Sequence, residues 1–205
     1  MHNGWGMPTS LFLGVRRSYA NEAQESARAF LAAMNRVLAE SGMAPYADPI
    51  EPVNPYAGYL FGRSTLDHCS PQVLVELATL AQATRKRPNL ALIRDNPHRV
   101  TFVPRPLPRP LATGFSEQIG GRDVQIWIGS LSQLAEELLS LARDLRIPVT
   151  NRDVTDETVD SINIFRPLHE RDSTKVIEDL RPGWLALHEG ARLAMQNGVA
   201  LTLAG

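Results

Sequence analysis

Four segments of the chain repeat apolar residues every three or four positions, the spacing that gathers them on one face of an α-helix. The pattern predicts helices over 21–41, 70–86, 130–146 and 182–197. Residues that favour helix starts support two of them. Ser70 stands before Pro71, and Ser130 stands three residues before Gln133, as in a capping box.

Short apolar runs between these segments predict strands. The runs are SLFLGV from Ser10, NLALI from Asn89, RVTFV from Arg99, SINIF from Ser161 and VALTLAG from Val199. Gly120 and Gly121 separate LATGFSEQI from RDVQIWIGS and predict a two-residue β-hairpin turn. The expected fold is α/β (α+β): a single domain over residues 1–205, with a mixed sheet containing this hairpin and about four helices covering it.

Two proline-rich segments interrupt the pattern. Prolines at every second position from Pro104 to Pro110 remove backbone donors from one edge of an extended chain. We expect a strand or polyproline stretch within the fold that pairs on one edge only; a ligand for an aromatic groove is the alternative. Residues 42–64 are predicted to form a long loop packed on the domain. Alternatively, Tyr46, Tyr56 and Tyr59 in this loop form a contact surface.

Composition and charge narrow the classes of function. A hydrophobic fraction of 43% with 21% charged residues indicates a folded protein, and a formal net charge of −1 argues against a general polyanion binder. Cys69 is the single cysteine, which excludes an intrachain disulfide. The sequence contains neither a membrane-spanning apolar run nor a secretory signal. We therefore expect a cytoplasmic protein that does not associate with membranes.

The charges are nevertheless segregated along the chain. Basic residues dominate 85–109, where Asp95 is the single acid, and acidic residues dominate 153–189. Both segments could be solvated faces, or could pair with each other. The functional alternative is a docking surface for a protein, in which an acidic patch could imitate phosphates toward a basic partner. The candidate partner-binding residues are Arg105, Arg109, Asp153, Asp156, Glu157 and Asp160, together with Tyr46, Tyr56 and Tyr59.

The chain carries no decisive catalytic motif. HERDS and HEGAR, which start at His169 and His188, lack the second histidine of H-E-x-x-H, and neither a G-x-S-x-G elbow nor a glycine-rich phosphate loop occurs. Cys69 precedes a predicted helix, whose dipole would favour a thiolate, although a packed cysteine is the simpler interpretation. We predict no catalytic residue, no metal site and no cofactor.

The opening LFLGVRR…NEAQESARAFLAAMNRVLAESGMAPYADP and the ending WLALHEGARLAMQNGVALTLAG resemble uncharacterised bacterial proteins that include candidate immunity proteins of toxin–immunity systems. This resemblance implies a cytoplasmic, non-catalytic protein that binds and neutralises a cognate toxin, and it assigns no site residue. That is the leading hypothesis. The alternatives are a small enzyme with a pocket at the Gly129–Ser130 helix start, and a protein that contacts nucleic acid through the basic segment 85–109.

Overall fold

A mixed sheet with helices on both faces organises the protein. The computed structural model describes residues 9–19, 23–48, 63–66, 68–84, 87–164 and 176–205. The strands are β1 (Thr9–Leu13), β2 (His68–Cys69), β3 (Arg99–Val103), β4 (Leu111–Ile119), β5 (Arg122–Ser130) and β6 (Leu201–Ala204). The helices are α1 (Gln24–Glu40), α2 (Pro71–Thr84), α3 (Pro88–Asp95), α4 (Leu131–Ala142), α5 (Asp156–Ile164) and α6 (Val176–Gln196), with a 3₁₀ turn at Arg16–Ser18.

The strand order is β2-β1-β6-β3-β5-β4, with two-residue β2 at one edge. Strands β3 and β5 run parallel, and the other neighbours are antiparallel. Gly120 and Gly121 join β4 to β5 with φ angles of 57° and 78°, which L-residues with side chains rarely adopt. The predicted α/β class, the mixed sheet and its glycine hairpin are therefore confirmed.

Side-chain alternation along the strands divides the interior into two cores. On β3, Val100 and Phe102 pack toward the core formed with α2 to α6, whereas Val103 packs toward α1. Helix α6 lies central in the larger core, where Trp184 is fully buried and donates its indole N–H to the Leu138 carbonyl at 2.8 Å. Among the described helices, α1 packs on one face of the sheet and α2 to α6 form the core on the other, which gives three layers. Among the described residues, no helix is both long and apolar enough to cross a bilayer.

The strand prediction for NLALI is wrong, because Pro88–Asp95 forms helix α3. The deciding group is distant in sequence. The buried Glu137 carboxylate on α4 accepts hydrogen bonds from the backbone N–H groups of Asn89 (3.1 Å) and Leu90 (2.8 Å), and from the Asn89 side-chain amide (2.7 Å). These bonds satisfy donors that the first turn of α3 leaves free.

The strand prediction for SINIF is also wrong. Its described residues, 161–164, continue helix α5, whose first turn is capped by the Thr155 hydroxyl accepting from the Thr158 N–H at 3.3 Å. Val159 and Ile162, three residues apart, are the buried positions. An apolar run this short does not distinguish a strand from one face of a helix.

The four predicted helices are present as α1, α2, α4 and α6, with shifted ends. Helix α4 ends at Ala142 instead of residue 146, and α6 begins at Val176 with Pro182 inside it. The segment from Pro104 to Pro110 is not a strand. The carbonyl groups of this segment instead accept hydrogen bonds from side chains at the start of α4. Ser130 Oγ donates to the Arg105 carbonyl, and Gln133 Nε2 donates to the Leu107 carbonyl.

Candidate functional site

Helix α5 carries the densest group of exposed acids in the described structure. Asp156, Glu157 and Asp160 are exposed, and no Lys or Arg occurs between residues 156 and 164. The opposite side of the helix buries Val159 and Ile162 in the larger core. With a rise of about 1.5 Å per residue, the three carboxylates project from about 6 Å of helix axis. The result is a short face with three exposed carboxylates, of which Asp156 pairs with Arg63 and Glu157 shares a surface depression with Arg146 and Arg181.

An ion-pair network fixes the turn before α5. Arg63 donates through Nη2 to Glu189 Oε1 (2.8 Å) and to an Asp153 oxygen, and through Nη1 to the Val154 carbonyl (2.9 Å) and Asp156 Oδ1 (3.3 Å). Asn163 adds a hydrogen bond from its amide to the Arg63 carbonyl at 2.7 Å. The segment that contains Arg63 therefore connects α6 with both ends of α5.

Glu189 lies at the buried centre of this network, with no exposed surface. Arg192 Nη2 donates to its second oxygen at 2.6 Å. Burial raises the pKa of Glu189, but hydrogen bonds from Arg192 and Arg63 outweigh burial and hold that pKa below its usual value. The carboxylate is therefore ionised, with a guanidinium on each oxygen.

His188 adjoins the network and is held by an aromatic stack. Its ring lies on Trp184 with centroids 4.8 Å apart and planes 8° apart, and its Nε2 is 3.4 Å from Asp153 Oδ1. Burial lowers the pKa of His188, and the nearby acids only partly oppose that shift. The imidazole is therefore neutral near neutral pH.

Asp153, His188 and Glu189 place potential metal-ligand atoms within 4.8 Å of one another. The Glu189 oxygens, however, already accept from Arg63 and Arg192, and Arg63 also binds Asp153. Two guanidinium groups at these carboxylates supply the positive charge that a metal ion would supply. The cluster is accordingly a structural ion-pair network. Sequence reasoning missed it, although the four-residue spacing of Trp184 and His188 on a helix indicated their contact.

The predicted pocket at the Gly129–Ser130 helix start is filled by the protein's own groups. Asn89 Oδ1 accepts from the Ser130 N–H at 2.9 Å, and the Ser130 side chain accepts from the Gln133 N–H. Ser130 is buried, and a Cβ added at Gly129 would lie 2.7 Å from Asn89 Oδ1. The alternative of a small enzyme therefore has no open pocket at this helix start. Cys69 is buried as well, next to Gly183, so its thiol is not presented to a substrate.

The basic segment 85–109 does not form a continuous surface among its described residues. Arg87 is buried and pairs with Asp144 at 3.4 Å. Arg99 is buried, pairs with Glu117 at 2.9 Å and lies over the Tyr19 ring at 4.3 Å. These arginines serve internal pairs, so the nucleic-acid alternative is not supported. Residues 85 and 86 lie outside the described residues.

The two arginines predicted to bind a partner lie apart from the acids of α5. Arg105 donates to the carbonyls of Ala44 and Pro45 and so ties two loops together. Arg109 is exposed and lines a groove of about 1060 Å³ that also includes Glu40 and Trp127. Their partner-binding roles stay predictions.

Tyr46, by contrast, is buried at 4% exposure. Its hydroxyl donates to Asp48 Oδ1 at 2.8 Å and accepts from the Ala200 N–H at 2.9 Å, and burial raises its pKa well above the ordinary value. This side chain joins the loop to the end of the sheet, and its partner-binding role stays a prediction. Tyr56 and Tyr59 lie outside the described residues.

Comparison with known proteins identifies the family. The chain matches the family described as "Putative DNA-mimic protein" over residues 64–203, more than half of its length. The chain belongs to this DNA-mimic family. No curated protein and no solved structure matches it. The match includes α5 and the network below it, although Arg63 lies one residue before the matched region.

Membership in the DNA-mimic family overturns the leading sequence-based hypothesis. The family match names imitation of DNA as the property of these proteins, and it does not describe neutralisation of a toxin. The predicted function as an immunity-like protein is therefore wrong. The partner-binding roles predicted for Asp153, Asp156, Glu157 and Asp160 stay predictions.

Proposed function

We propose that this protein is a DNA mimic that binds the DNA-contacting surface of a DNA-binding protein through the exposed acidic face of α5. The proposal is supported by membership in the DNA-mimic family together with three solvent-exposed carboxylates on one short helix. Asp156, Glu157 and Asp160 are the contact residues. Asp153 is left out of this set because it binds Arg63 more closely than Asp156 does and also lies 3.4 Å from His188.

The spacing of these acids carries the proposal. B-DNA presents one negative charge per about 3.4 Å of axis on each strand, and about 1.7 Å when both strands are counted. Three carboxylates over about 6 Å of α5 give one charge per about 2–3 Å. A protein surface arranged to bind a phosphate backbone would therefore meet a similar density of negative charge on α5.

The imitation is local. A net charge of −1 shows that the molecule as a whole is not strongly acidic, and the described acids elsewhere include several that pair internally, such as Glu117 and Asp144. Binding through α5 alone favours a partner with a compact cationic surface over one that tracks a long duplex. The proposal keeps the cytoplasmic location expected from the sequence, where DNA-binding proteins are available.

The test is displacement from DNA. Proteins from a lysate of the source organism are retained on double-stranded DNA-cellulose, the column is washed with the purified chain, and any displaced protein is identified and purified. That protein is then bound to a fluorescent duplex, and the chain is titrated as a competitor. We expect competition by the wild-type chain and at least a tenfold loss with the D156N/E157Q/D160N variant, because complementary charge is removed.

A matched control removes equal charge elsewhere. Glu25, Glu40 and Asp123 are exposed on α1 and at the β4–β5 hairpin, so E25Q/E40Q/D123N changes the net charge by the same three units. This variant should compete like the wild type. The proposal is wrong if the chain displaces no DNA-bound protein, or if both triple variants weaken competition equally.

A further inference from the structure

Helix α5 ends in an isoleucine that lies in water. Ile164 is 78% exposed, and the described residues include one other exposed large hydrophobic side chain, Met195 at 40%. Val159 and Ile162 supply the contacts of α5 with the core. Ile164 therefore contributes little buried surface to folding.

The direction of Ile164 follows from helix geometry. Each residue advances about 100° around the axis, so Asp156, Asp160 and Ile164 follow one another in steps of about 40°. Val159 and Ile162 lie on the opposite side. Ile164 consequently projects from the middle of the exposed arc, beside Asp160 and within about 20° of the direction of Glu157. An apolar side chain therefore lies on the same face as the three acids, at the carboxyl-terminal end of the helix.

An acidic face is attracted to cationic surfaces in general, including those that bind phosphates. An exposed apolar side chain also needs an apolar contact on the partner, which the binding of DNA phosphates does not need. Burial of one aliphatic side chain in an interface strengthens binding by about tenfold to a hundredfold.

We propose that Ile164 is the specificity-determining contact of this DNA mimic. The partner is a DNA-binding protein whose cationic surface contains an apolar pocket about 6 Å, one helical turn, from the groups that bind Asp160. Because this inference rests on the proposed function, the experiment separates the two. The carboxylates supply attraction to basic surfaces in general, and Ile164 supplies discrimination among them.

The experiment uses the DNA-binding protein that the wild-type chain displaces, and protamine as a generic basic probe. Affinities are measured for I164S, I164L, M195S and the D156N/E157Q/D160N variant across a series of salt concentrations. We expect I164S to bind the DNA-binding protein about tenfold to a hundredfold more weakly, with an unchanged salt dependence, and to bind protamine normally. I164L should retain most of the affinity, and M195S should match the wild type.

The triple variant should lose affinity for both probes and should show a weaker salt dependence. If I164S binds like the wild type while the triple variant is impaired, the inference about Ile164 is wrong and the proposed function stands. If neither variant is impaired, both are wrong. Thermal unfolding of I164S should match that of the wild type, since the side chain is exposed; a lowered Tm together with lost binding to protamine would also overturn the inference.

Discussion

Carboxylates occupy two contrasting environments in this protein. Glu137 and Glu189 are buried, and each accepts several hydrogen bonds from groups that the fold places around it. Asp156, Glu157 and Asp160 project from α5 into solvent. The first group holds elements together, whereas the second group is exposed to solvent, with one surface ion pair between Asp156 and Arg63. Net charge alone therefore says little about a mimic, because buried and exposed acids count equally in it.

The two groups of carboxylates also differ in how much each contributes to the free energy of unfolding. Burying an ionised carboxylate is unfavourable unless hydrogen bonds and opposite charges compensate it, so removing either side of a buried pair is expensive. An exposed carboxylate keeps its water and is worth little to stability. Substitutions should therefore separate the two groups by their effect on the free energy of unfolding.

The largest effect is expected for Glu189→Ala. Arg63 and Arg192 would lose their shared partner, and removing one member of a buried pair costs about 3–5 kcal/mol. Both arginine side chains retain about a quarter of their surface in water, at 26% and 27%, so we expect about 3 kcal/mol. Urea unfolding measures it. Asp156→Asn, which removes only an exposed contact with Arg63, should cost less than about 0.5 kcal/mol.

Glu137→Gln comes next. An amide presents one acceptor instead of two, and its NH₂ group would face the N–H donors at the start of α3, so we expect a loss of about 2 kcal/mol. The neighbouring Glu136→Gln provides the matched control, because Glu136 is exposed and pairs at the surface with Arg152. Equal midpoints of denaturant unfolding for the two variants would contradict the structural role of Glu137.

The pH dependence of stability should reveal His188. Its folded pKa is lowered, chiefly by burial, so the unfolded chain takes up a proton first as the pH falls below about 6.5. The contribution of His188 to stability should therefore decrease on acidification from that point, whereas Glu137, whose pKa burial raises, contributes in the opposite direction. The contributions of Asp153 and Glu189 should decrease below about pH 4.5, because their pKa values are also lowered in the folded state.

His188→Phe can still stack on Trp184 but does not titrate. Urea unfolding at a series of pH values should show that this variant lacks the decline just below pH 6.5 and keeps the one at lower pH. An unchanged profile would mean that another group is responsible for the decline.

A small effect on stability is expected for D156N/E157Q/D160N. Asp156 and Glu157 occupy the first turn of α5, where the helix dipole favours anions, so a loss below about 1 kcal/mol is expected. Calorimetry measures it beside the binding assay. A loss as large as that of Glu189→Ala would place these acids with the fold-supporting group and remove the contrast.

The sequence predicts elements whose signals are local. The apolar faces of α1, α2, α4 and α6 and the Gly120–Gly121 turn are readable within one element. Helix α3 is not, because the Glu137 carboxylate that caps it is 47 residues away from Leu90 in sequence. Helix α5 was missed because its short apolar run fits a strand equally well.

The candidate site divides in the same way. The clustering of Asp156, Glu157 and Asp160 is visible in sequence, and so is their possible imitation of phosphates. The pairing of Asp153 with Arg63 spans 90 residues of sequence, so no local pattern indicates it. The exposure of Ile164 had no sequence signal, since an apolar residue at the end of an apolar run is expected to be buried.

Among the described residues of α5, Val159 and Ile162 are the ones buried in the larger core, and Asn163 attaches the far end of the helix to the Arg63 segment. The exposed positions of α5 do not pack in the core. Substitutions at these exposed positions can therefore change the surface of α5 without changing the sheet or helix α6. A competitor against a new target could thus arise by changing a handful of codons in one nine-residue helix.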